Sequence, residues 1–119
     1  MTDEAGREPA RDPQHLERML VIRQHAGDVE GMVALFEPDA VIDTSDGQFT
    51  RGHAAIRALF AKQLAAGMKF KVGVQRPALI CGDLALTSTA LPDGSITSEV
   101  ARRQADGTWL WVIDRYAVS

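Results

Sequence analysis

The chain has 119 residues, a formal net charge of −3 and a sequence pI near 5.5. At that length a single domain buries roughly two-thirds of its unfolded surface, and arginines scattered among carboxylates give no basic footprint for nucleic acid. No run reaches the ~20 apolar residues of a membrane span or reads as a secretory signal, and a lone cysteine cannot close an internal disulfide, so a cytoplasmic protein is expected.

Residues 1–12 are rich in charge and lack an apolar period, so they read as a mobile tail before a single domain at 13–119. Pro13 begins a first helix, along which Leu16, Met19, Leu20 and Arg23 step at three-to-four spacing until Gly27. Gly27-Asp28 closes that helix and caps the next, where Val29, Met32, Val33 and Phe36 recur and Pro38 is a stop. Ala40 to Ile42 reads as a short strand running into the turn-rich Asp43-Thr44-Ser45-Asp46-Gly47. Gly52-His53 then opens a helix whose face carries Ile56, Leu59, Phe60, Gln63 and Leu64.

In the second half, Met68, Phe70, Val72 and Val74 alternate with Lys69, Lys71, Gly73 and Gln75, the period of a half-buried strand. Pro77 marks a bulge or edge, and Cys81, between Leu79-Ile80 and Gly82-Asp83, reads as a small buried hydrophobe at a strand end. Strands over 84–90, 96–103 and 108–117 follow, joined by Pro92-Asp93-Gly94 and Ala105-Asp106-Gly107 turns. A four-residue loop at 104–107 pairs Arg103 with Thr108, Glu99 with Val112 and Thr97 with Asp114. It places Leu110, Val112, Asp114 and Tyr116 on one face and Trp109, Trp111, Ile113 and Arg115 on the other; a three-residue loop flips the parity. The two tryptophans suit either an interface or a core.

The segments "AGDVEGMVALFEPDAVI" and "RGHAAIRALF" resemble the nuclear transport factor 2-like superfamily, which includes ketosteroid isomerases, limonene epoxide hydrolases and SnoaL-like polyketide cyclases. The resemblance runs from about Leu16 to Val118. It implies an α+β cone, a curved antiparallel sheet packed on about three N-terminal helices and enclosing a cavity. It further implies a homodimer through the sheet face bearing Trp109 and Trp111. Because this fold hosts unrelated activities, function has to come from the site.

On that resemblance the cavity faces Leu110, Val112, Asp114 and Tyr116, with Leu20, Thr44 and Phe60 completing a pocket for a small hydrophobic molecule. Raising an aspartate from ~3.9 to ~6.5 means disfavouring its ionised form by about 3.5 kcal/mol, which burial supplies. Asp114 is therefore the candidate acid or base, with Glu99 and Tyr116 as helpers, unless Arg103 or Arg115 pairs with it. The isomerase base position falls on Thr44, its tyrosine on Leu20 and its neutral aspartic acid on Glu99, so that machinery is not reproduced. Of the epoxide hydrolase group only Asp114 remains, the other positions falling near Thr89 and Leu91. SnoaL-like cyclases require one acidic residue in a shaped apolar pocket, and this the chain retains. His15, His25 and His53 read as surface or helix-end residues, and no metal-ligand spacing or phosphate loop is present, so cofactor-independent chemistry is expected. The alternatives are ligand binding without catalysis, and a homo- or hetero-association module.

Overall fold

The Gly27-Asp28 junction separates two helices. The computed structural model describes residues 7–44 and 46–118, with α1 at His15–His25 and α2 at Val29–Val33. Gly27 takes φ +71°, a turn that a residue without Cβ makes freely. The Asp28 carboxylate accepts from the Gly31 amide at 3.0 Å, a cap worth about 1 kcal/mol. α2 stops earlier than its apolar spacing predicts, because Phe36 opens strand β1, Phe36–Asp43. That strand carries Pro38 through a register irregularity between Phe36 and Val41, where a missing ladder donor is tolerated.

β2 is Phe49–Arg51, and α3, His53–Ala65, starts after Gly52 as its sequence predicts. The remaining strands are β3 Val74–Gln75, β4 Leu79–Cys81, β5 Leu84–Thr87, β6 Thr89–Ala90, β7 Ile96–Arg103 and β8 Trp109–Val118. They form one eight-stranded sheet in the order β2-β1-β8-β7-β5-β4, with β6 joining β7 to β3. The sheet is mixed and not wholly antiparallel: β1 runs parallel to β8, since α3 and the meander lie between them in the chain. The core lies between the helices and one sheet face. Phe36 sits 5.7 Å from Phe60 and 5.3 Å from Trp111 between ring centroids, with Leu16, Met32 and Ile56 around them.

β8 departs from the expected pairing in two ways. The β7–β8 turn closes through Gln104 N–H donating to the Thr108 carbonyl at 2.7 Å, and Arg103 is opposite Trp109, one residue out of the predicted register. Trp111 is then opposite Ala101 but Ile113 opposite Val100, so Val112 is the extra residue of a bulge. Before the bulge Trp109 and Trp111 point into the core, 6% and 1% exposed; after it Asp114 and Tyr116 take over the inner face. Leu110 and Val112, expected inside, are half-buried on the opposite side, and the tryptophans are core residues and not an exposed interface.

Three further expectations meet a different structure. Of the tail read over residues 1–12, residues 1–6 lie outside the described residues, and Arg7 to Asp12 is tied down: the Trp109 amide donates to the Ala10 carbonyl at 2.8 Å, and Arg7 pairs with Asp28 at 2.8 Å. Cys81 is exposed on the edge strand β4, all three residues of which are exposed. The predicted strand over 68–75 forms a ladder only at Val74–Gln75, against β6. Its preceding stretch is held by side chains instead. Gln24 Nε2 donates to the Met68 carbonyl at 2.5 Å, the Phe70 amide donates to Gln24 Oε1 at 3.1 Å, and His25 Nε2 meets the Phe70 carbonyl at 2.7 Å. Gly73 is required where this stretch reaches the sheet, since a Cβ there would lie 2.5 Å from the Ala90 carbonyl oxygen.

Candidate functional site

Between α1, α3, the 68–71 segment and the inner ends of β7 and β8 opens a cleft of about 960 Å³. Its floor carries Glu99 and Asp114, opposite one another in a cross-strand row that continues beneath the surface to Thr87 beside Glu99 and to Ile42 beside Asp114. Directly opposed side chains have Cβ atoms about 5 Å apart, so the two carboxyls are neighbours. The predicted pairing sets them on a diagonal; the one-residue shift at the β7–β8 turn and the Val112 bulge together bring them face to face.

Neither suspected arginine reaches Asp114. Arg103 turns to Asp83 at 2.6 Å and Arg115 to Asp43 at 3.1 Å. Asp114 is 5% exposed, and no hydrogen bond or ion pair to its carboxyl occurs among the described residues. Burial holds its pKa well above the ordinary aspartate value, and the charges of Glu99 and Glu17 push the same way. Glu99 is also raised by burial, but hydroxyls oppose this: Thr87 Oγ1 donates to Glu99 Oε1 at 2.7 Å, and Thr97 acts likewise. Tyr116 is raised by burial and by Asp114, while the Gln63 amide works in the other direction. Among the described residues, no hydrogen-bond partner meets the buried Tyr116 hydroxyl or Gln63 Oε1. The Tyr116 ring meets Phe70 edge-on at 6.2 Å.

Of the pocket residues expected from sequence, Leu20 and Thr44 line the cleft with Asp114, Glu99 and Tyr116. Phe60 does not; it is fully buried against Phe36, because α3 turns that position to the core. Leu110 and Val112 are excluded by the bulge. Sequence reasoning missed Glu17, whose pKa burial and then the charge of Glu99 push up to about 7. The signal was its spacing: 17, 20 and 24 share one helical stripe, so a carboxylate interrupts the buried face that bears Leu20 and Gln24. Among the described residues no group of His, Cys, Asp and Glu converges as metal ligands, and no helix is long and apolar enough to cross a membrane.

Three helices packed on a curved mixed sheet, with an acid-floored cleft between them, define a cone-shaped α+β protein of the nuclear transport factor 2-like, cystatin-like type. The chain belongs to the SnoaL-like domain family, which matches residues 16–119. Solved structures agree on the fold. A protein from Thiobacillus denitrificans, provisionally assigned as a calcium/calmodulin-dependent protein kinase type II association domain, superposes with a TM-score of 0.74 at 19% identity, covering 91% of this chain and 96% of that one. A nuclear transport factor 2-like protein from Novosphingobium aromaticivorans gives 0.67 at 20% identity, covering 85% and 75%. A Nostoc punctiforme protein of unknown function gives 0.68 at 18% identity, covering 86% and 84%. No curated protein matches the sequence.

Proposed function

We propose that the cleft binds a small, largely apolar carbonyl compound and that the protein moves a proton on it without a cofactor, in an isomerisation, cyclisation or dehydration. The observation that carries this is Asp114, a carboxyl buried on the floor of a cleft with no cation upon it among the described residues. Two adjacent carboxyls in one low-dielectric site separate into an acid and a base. The Thr87 hydroxyl favours the charged form of Glu99, whereas none of the described residues does so for Asp114. Glu99 is then the base that removes an α-proton, the C–H electrons pass into an enolate, and neutral Asp114 donates to the carbonyl oxygen. Return of the proton to another carbon completes an isomerisation; attack of the enolate on a second carbonyl completes a cyclisation. Tyr116 orients the same oxygen, Leu20 and Thr44 shape the pocket, and Glu17 is a further proton store. The test is deuterium uptake from heavy water into a panel of 1,3-dicarbonyl compounds, read by mass spectrometry. Uptake above the buffer rate that is lost in folded Asp114→Asn and Glu99→Gln is expected. A panel that binds without uptake would leave ligand binding without catalysis.

Association is the second reading, and the outer sheet face favours it. Leu79, Leu86, Val100, Ile113 and Val41 are successive cross-strand partners, an apolar row across five strands. Leu86 and Ile113 are 46% and 47% exposed. We propose that a second copy of the chain covers this row, replacing the tryptophan surface expected from sequence.

A further inference from the structure

All three lysines of the chain, Lys62, Lys69 and Lys71, line the cleft. Arginines elsewhere are engaged: Arg57 holds Glu30, Arg102 holds Glu37, Arg103 holds Asp83 and Arg115 holds Asp43. Neither Lys69 nor Lys71 has an ion-pair or hydrogen-bond partner among the described residues. The Asp46 carboxyl is held ionised chiefly by the Gln48 amide and the Thr44 hydroxyl, to which the Lys62 charge adds a small part. The two aspartates on the rim are turned back on their own turns: Asp46 accepts from the Gln48 amide and the Thr44 hydroxyl, and Asp93 from the Ser95 amide and hydroxyl.

The segment bearing Lys69 and Lys71 has no ladder of its own, yet Gln24 and His25 fix its backbone at Met68 and Phe70. Two unpaired ammonium groups are thereby set on one wall of a cleft that also contains Leu20, Leu59 and Phe70. The floor carries Glu17, Glu99 and Asp114, so any ionised carboxyl there repels an anion, while the lysine wall attracts one. We infer that the ligand is an anionic amphiphile, with an apolar body and one negatively charged group held by Lys69 and Lys71, so that its uncharged end descends to Asp114. This rests on the proposed ligand-binding cleft and adds the ligand's charge and orientation.

Three probes on one naphthyl body test it by calorimetry: 2-naphthylacetate, its isosteric neutral primary amide and 2-(2-naphthyl)ethylamine. At low salt the anion is expected to bind about tenfold more tightly than the amide, and the advantage is expected to disappear at high salt. In Lys69→Met/Lys71→Met the anion should fall to the affinity of the amide, while the amide, which reports an intact cleft, keeps its own. Equal binding of anion and amide, tighter binding of the amine, or a preference surviving in the double variant would overturn the charge assignment and leave the cleft as a binding site. Failure of all three to bind would overturn the binding cleft itself, and this inference with it.

Discussion

Glu99 and Asp114 face one another across the β7–β8 ladder, and the arginines nearest in sequence to Asp114 are both engaged elsewhere. An acid raised by burial is favoured protonated, so its folded state loses stability as pH rises above the unfolded value. Asp114→Asn removes that cost. At pH 8 this variant is expected to be more stable than the parent, by an amount on the order of a few kcal/mol, and the gap should close towards pH 4. Thermal melts at the two pH values check it.

Glu17 titrates near 7 in the folded protein against 4.5 for the free side chain. Its folded form binds the extra proton, so stability is fully present below about 4.5, falls as pH rises to 7, and is level above that. The corresponding change is about 3 kcal/mol at most. Glu17→Gln is expected to flatten the urea-unfolding profile across that window. Asp28, Asp46, Asp93 and Asp106 are lowered and act at more acidic pH, leaving the window to the raised acids.

The inner and outer sheet faces are expected to respond differently to substitution. Phe60→Ala should cost about 3–5 kcal/mol, the scale of a large core truncation, without changing the oligomeric state of the remaining folded protein. Leu86→Lys, on the outer row, should leave folding intact and convert a dimer to a monomer. Sedimentation of the two variants beside the parent reads the difference.

Gln24 supplies two hydrogen bonds to the 68–70 backbone from a position 1% exposed. Gln24→Ala should cost about 1–3 kcal/mol and accelerate amide exchange at Phe70 relative to that in the β7–β8 ladder. Unchanged exchange there would show that the segment is held by other contacts.

The order of helices and strands was legible because caps and turns are local: Asp28, Gly52 and the Asp-Gly turns each act within a few residues. Asp114, Glu99, Tyr116, Leu20 and Thr44 were placed at the cleft through the family resemblance and strand parity. Where prediction diverged, long-range packing was responsible. The Val112 bulge exchanged Leu110 and Val112 for Trp109 and Trp111 on the inner face, and no local residue preference announces such an inserted residue. Phe60 had the apolar spacing of a pocket residue but packs on Phe36, and helical spacing alone does not separate cavity wall from core. Met68 to Val74 had strand alternation, but Gln24 replaced the ladder as its partner.

The most direct measurement is a carbon-detected NMR titration of the Asp114 carboxyl, assigned through Asp114→Asn. A midpoint far above the ordinary 3.8, moving when Glu99→Gln removes the facing charge, is the expected result. A midpoint at or below 3.8 would show a solvated or ion-paired carboxylate and contradict an acid–base role on the cleft floor.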